Sequence, residues 1–145
     1  MTRLLGIPSL TFTFLALALG CADPHPDWKE TYPVKGQVFA DGKPAEGVSV
    51  TLNPKSGLDT KQPTISSTMT DAQGNFAIST YEEGDGAPEG EYTLTFKWGK
   101  LNRMSMSYSG DQFKGKYSDP LKSKFPLSVQ PGSPIDMGKI ELVTQ

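Results

Sequence analysis

The residues able to do chemistry are few and scattered. The chain has one cysteine, Cys21, and one histidine, His25, both near its N-terminus. A single cysteine forms no intramolecular disulfide. A single histidine in the polar stretch ADPHPDWKET lacks the neighbours needed for general-base work or a metal shell. No nucleophile is spaced beside a base, and there is neither a glycine-rich phosphate loop nor a cysteine/histidine cluster. The expectation is a protein that is not an enzyme, with no cofactor, no metal and no catalytic set.

Two charged stretches remain. Glu82, Glu83, Asp85, Glu89 and Glu91 crowd into YEEGDGAPEGEY without a base. Carboxylates on a glycine-bearing loop suit calcium, but the spacing is not that of an EF-hand, so a solvated loop is expected. Between Lys97 and Lys124, seven Lys or Arg residues face only Asp111 and Asp119, with aromatic and methionine side chains interspersed. The candidate interaction surface drawn from this stretch is Lys97, Lys100, Arg103, Tyr108, Phe113, Lys114, Lys116 and Tyr117. Anionic headgroups, an acidic polymer or a partner protein would suit it. The plainer reading is an extra edge strand carrying Met104, Met106 and Tyr108, kept soluble by its lysines. With a formal net charge of −2, the chain has no global drive toward nucleic acid, which is not an expected partner.

The elements that must position these residues begin with an address. Arg3 precedes an apolar run from Leu4 to Leu19, and Gly20-Cys21 leads into Ala22-Asp23-Pro24. This is the charged, apolar, small-residue order of a secretory signal. The run is shorter than the ~20 residues that cross a bilayer as a helix. Ala18-Leu19-Gly20-Cys21 resembles the lipobox of bacterial lipoproteins, with the small residue before the cysteine and the cysteine itself in place. The resemblance implies cleavage after residue 20, acylation of Cys21 and attachment to a bacterial cell membrane or outer membrane through that lipid. Two or three acyl chains give lasting attachment, because each buried methylene contributes ~0.8 kcal/mol. Residues 21–31 read as an extended lipidated tether.

From Tyr32 the pattern has period two. Val34 and Val38 share one face of a first strand, and Val48, Val50 and Leu52 share one face of a second; Asp41-Gly42 between them predicts a hairpin. Further strands are expected near 65–70, over 75–80 with Phe76 and Ile78 inward, and over 91–98 with Tyr92, Leu94, Phe96 and Trp98 inward. Late in the chain Phe125, Leu127 and Val129 alternate. The inward phase of the last strand then moves from Ile135 and Met137 to Ile140 and Leu142, as a bulge at Gly138 would produce. About seven strands, with Gly- and Pro-rich turns, predict an all-β antiparallel sandwich over 32–145, with one long connection at about 99–124.

Val34-Lys35-Gly36-Gln37-Val38, Asp41-Gly42-Lys43-Pro44, Gly47-Val48-Ser49-Val50, Thr70-Asp71-Ala72-Gln73-Gly74-Asn75-Phe76 and Gly90-Glu91-Tyr92-Thr93-Leu94 resemble the carboxypeptidase regulatory-like domain. That family belongs to the transthyretin-like, or prealbumin-like, sandwiches. The resemblance covers about Tyr32 to Trp98 and implies a non-catalytic module: an exported, lipid-anchored envelope protein serving structure or protein interaction. The alternative is a carbohydrate-binding module that stacks sugars on Trp98, Tyr108, Phe113 and Tyr117. The related adhesin sandwiches also suggest an isopeptide crosslink between Lys35 and Asp136, with Glu91 as the acid.

Overall fold

The computed structural model describes residues 25–145. The expectations for residues 1–20 and for Cys21 lie outside the described residues. Among those described there is no helix, and none therefore long and apolar enough to cross a membrane. The strands are β1 (Thr31–Tyr32), β2 (Val34–Ala40), β3 (Lys43–Pro44), β4 (Val48–Pro54), β5 (Ser66–Met69), β6 (Asn75–Ala77), β7 (Ala87–Pro88), β8 (Gly90–Trp98), β9 (Lys100–Asn102), β10 (Ser107–Ser109), β11 (Pro126–Val129) and β12 (Ile135–Leu142). One sheet has the order β11-β8-β4-β5; the other has β12-β2-β3, with β6 also paired to β2. Two short ribbons, β1-β7 and β9-β10, sit outside these sheets. The seven expected strands are present, and the additional ones are two or three residues long.

Alternation decides which face of each strand is dry. Val34, Val38, Phe76, Ile140 and Leu142 from one sheet meet Val50, Leu52, Leu94, Phe96 and Val129 from the other in a single buried cluster. Each fully buried side chain of this size contributes about 1.5–3 kcal/mol. Gly36, lying between the two valines of β2, is paired with Phe76. A Cβ there would stand 2.7 Å from the Phe76 ring, so glycine is what lets the ring lie flat across β2. On β8, Tyr92, Leu94 and Phe96 are buried and Trp98 half-buried. The outward Thr95 is buried as well, its hydroxyl accepting a 3.0 Å bond from the Asn53 amide.

The predicted bulge in the last strand is present. The register of β12 against β2 shifts between Asp136 and Lys139, and Gly138 has a φ of 64°. Two expectations are corrected. The strand pair 34–38 and 48–52 is not a hairpin: Asp41-Gly42 turns β2 into β3, and β4 lies in the other sheet. The chain crosses between sheets at Ala45–Gly47. There the Thr70 hydroxyl donates to the Ala45 carbonyl at 2.5 Å and accepts from the Val48 amide at 2.9 Å. The sandwich is also not wholly antiparallel, because β12 runs parallel to β2. The loop after β11 carries the chain across the sandwich, so β12 enters alongside β2 from the same end, with the Ile135 amide bonded to the Pro33 carbonyl at 2.8 Å.

The segment 25–31, read from the sequence as part of an extended tether, is laid against the sandwich. His25 stacks on Trp28 at 3.8 Å between centroids, and Trp28 stacks on Tyr81 at 4.7 Å. The Lys29 ammonium bonds Asp59 at 2.7 Å, and the Lys29 amide donates to the Tyr81 hydroxyl at 3.1 Å. Lys29, with the amides of Lys61 and Gln62, holds the Asp59 carboxyl down at about 2. β1 then pairs with β7, two residues before β8 begins. The N-terminal segment thus docks at the Gly90 end of β8.

Candidate functional site

At the other end of β8 the chain leaves the sheet through Gly99 into a hairpin. β9 and β10 pair Lys100 with Ser109, Leu101 with Tyr108 and Asn102 with Ser107. The Asn102 side-chain oxygen accepts the amides of Met104 and Ser105 at 3.0 and 3.3 Å, and this sets the tip. Met106 closes the tip with a φ of 49°, a conformation that β-carbon-bearing residues rarely adopt. The tip carries its apolar side chains outward: Met104 is 98% and Met106 76% exposed, with Leu101 exposed behind them. Lys97, Lys100 and Arg103 are exposed beside them. Tyr108 lies at the base, its ring against Gly47 and its Cβ against Gly99, where larger residues would collide.

The remainder of the long connection behaves differently. Residues 110–125 run back along the free edge of β8. The Gln112 amide bonds the Trp98 carbonyl at 2.8 Å, the Phe96 amide the Tyr117 carbonyl at 3.0 Å, and the Leu94 amide the Phe125 carbonyl at 2.9 Å. Asp111 organises the turn: one carboxylate oxygen accepts the amides of Trp98 and Phe113, each at 3.0 Å, and the other accepts Gly115 at 2.8 Å. Phe113 is 1% exposed and packs 5.3 Å from Trp98 and 5.1 Å from Tyr117 between ring centroids. Tyr117 is half-buried and edge-on to Phe96.

The eight candidate surface residues are therefore not one surface. Lys97, Lys100, Arg103 and Tyr108 gather in or beside the hairpin. Lys114 and Lys116 are exposed on the returning segment. Phe113 belongs to the core and offers no face to a ligand, which corrects its inclusion. The expected edge strand exists as β10, but Met104 and Met106 lie at the turn rather than packed against a sheet. Sequence reasoning missed the Trp28–Tyr81 stack and the Lys122–Phe125 segment as parts of a surface; no local periodicity signals either.

The other chemistry considered from the sequence is placed as follows. Lys35 and Asp136 are register partners with a 3.4 Å ion pair. Both are largely exposed, however, and Glu91 lies on the other sheet, 3.8 Å from Lys55. The Gly138 amide, together with Lys35, holds the Asp136 carboxyl below its ordinary range. The pair is thus an exposed ion pair, and the acid expected beside it stands in the other sheet. In the acidic loop Asp85 accepts the amides of Thr80 and Tyr81 at 2.7 and 3.0 Å. Among the described residues no three His, Cys, Asp or Glu side chains gather closely enough to hold a metal ion.

No family model and no curated protein matches this chain. Solved structures that share its shape are distant. The major pilin subunit BcpA of Bacillus cereus is 11% identical over 77% of this chain, with a TM-score of 0.46, and this chain spans 29% of its length. The 5-hydroxyisourate hydrolase of Klebsiella pneumoniae is 17% identical over 81% of this chain and 89% of its own, with a TM-score of 0.42. An (S)-allantoin synthase is 15% identical over 80% of this chain and 42% of its own, with a TM-score of 0.41. Likeness at this level says nothing of activity. The chain is, by its own strands and core, an all-β sandwich.

Proposed function

We propose that this chain is an exported bacterial envelope lipoprotein, held in a membrane by acyl chains on Cys21, which displays a transthyretin-like sandwich as a non-catalytic structural or protein-interaction module. The observation that carries the reading is the polarity of the domain. The N-terminal segment docks at the Gly90 end of β8, and the hairpin with bare methionines leaves from the Trp98 end. The nine residues of β8 put the two ends about 27 Å apart. Cys21 precedes His25 by four residues, a reach of at most about 14 Å. A lipid on Cys21 therefore holds one end near the bilayer and turns the hairpin away from it. Exposed methionines beside Arg and Lys are the composition of an adaptable protein contact, apolar at the centre and basic at the rim.

A photo-crosslinking residue at Met104, compared with one at the exposed Lys61 near the docked N-terminus, tests this in intact cells. The expected result is a discrete crosslinked protein from Met104 and none from Lys61. A Cys21→Ser chain should lose the membrane fraction. Absence of any Met104 product, or unchanged fractionation of Cys21→Ser, contradicts the reading.

A further inference from the structure

We infer a second binding site, for a carboxylate-bearing sugar unit of an acidic polysaccharide, in the hollow formed by Lys116, Tyr117, Lys122, Ser123, Lys124 and Phe125. It belongs to the returning segment and is independent of the hairpin and of the lipid. Its volume of about 300 Å³ is at the small end of the range for ligand pockets. That suits one or two sugar rings.

The walls supply two kinds of contact. Tyr117 and Phe125 are half-buried, with ring centroids 6.3 Å apart and planes inclined at 60°, so they form an apolar corner rather than a flat stack. Both are fixed from behind by edge contacts to Phe96, at 6.5 and 5.1 Å. The Tyr117 hydroxyl is bonded to the backbone of Val143, accepting its amide at 3.1 Å. The C–H face of a sugar ring packs against such a corner without moving it. Three lysines line the hollow, and two carboxylates lie near them: Asp119, 3.6 Å from Lys122, and Asp41, whose carboxyl is held below its ordinary range by its hydrogen bonds to Thr144 and by Lys116. Lys116 bonds the Gln145 carbonyl at 2.6 Å and stands 5.5 Å from the Tyr117 ring centre. Lys124 makes no ion pair among the described residues and is exposed. A hollow with excess positive charge at its rim and a rigid aromatic corner matches a ligand with a carboxylate on an otherwise uncharged ring. A bilayer surface is flat and does not enter it.

The test uses the full chain in neutral detergent, titrated calorimetrically with tetragalacturonate, with maltotetraose as the uncharged control. Saturable binding of tetragalacturonate is expected, at least tenfold tighter than maltotetraose. Lys122→Ala/Lys124→Ala should weaken it tenfold or more while leaving the melting temperature unchanged, since both lysines are exposed. Met104→Ser should leave it unaltered. No saturable heat, equal binding of the two sugars, or equal binding by the double variant overturns the inference. So does equally tight binding of poly-glutamate, which would mark an unspecific basic patch.

Discussion

The long connection contains two segments of similar composition and opposite fate. Residues 100–109 and 110–125 both mix lysine with aromatic or methionine side chains. The first stands off the sandwich with Met104 and Met106 in water; the second lies along β8 with Phe113 in the core. The difference lies in Asp111 and in backbone pairing. One carboxylate gathers three amides at the start of the second segment, and the carbonyls of Tyr117 and Phe125 then satisfy β8 amides that would otherwise face solvent. The hairpin satisfies its own backbone and asks nothing of the sheet. Composition therefore does not distinguish a surface from a cover for a sheet edge; backbone accounting does.

The contrast is open to tests of decreasing size. Phe113→Ala should lower stability by about 3–5 kcal/mol in chemical denaturation, since it empties a core site shared with Trp98 and Tyr117. Asp111→Ala leaves three amides without their acceptor and should cost about 1–3 kcal/mol, with faster hydrogen exchange at Trp98, Phe113 and Gly115. Trp28→Ala, which removes the stack holding the N-terminal segment, should cost about 0.5–1.5 kcal/mol and expose residues 25–31 to proteolysis. Met104→Ser/Met106→Ser should change stability by no more than about 0.5 kcal/mol, because neither side chain is buried, and should abolish crosslinking to the same protein from a probe placed at Leu101.

Acid acts on the docked N-terminus in a defined direction. The folded Asp59 carboxyl sits at about 2 against an ordinary 3.8, so its contribution to holding Lys29 is complete above the ordinary value and disappears as pH falls through about 2. The near-ultraviolet signal of the Trp28–Tyr81 stack should therefore decline across that interval. Asp59→Asn should lose the dependence.

Much of the fold was legible from the sequence because burial on one face imposes a period. Tyr92, Leu94 and Phe96 on β8 and the phase change at Gly138 on β12 could be read from the alternation alone. Partner choice could not. Period two says which side of β4 is dry but not whether β2 or β8 lies beside it, and Asp41-Gly42 turns equally well into the two-residue β3. The parallel placement of β12 rests on how its loop crosses the sandwich, which no local pattern encodes. The Trp28–Tyr81 stack joins residues far apart in the chain. Within the candidate surface, the basic residues were legible as exposed. Phe113 was not legible as core, since its neighbours have no periodicity and only the Asp111 turn carries it inward.

The most direct test of the account is the intact mass, with N-terminal fragmentation, of the protein extracted from bacterial membranes. A chain beginning at a di- or triacylated Cys21 is the predicted result: it would put the docked Trp28 end at the bilayer and the hairpin away from it. A chain beginning elsewhere, with an unmodified thiol or none, would contradict the anchored display of this sandwich.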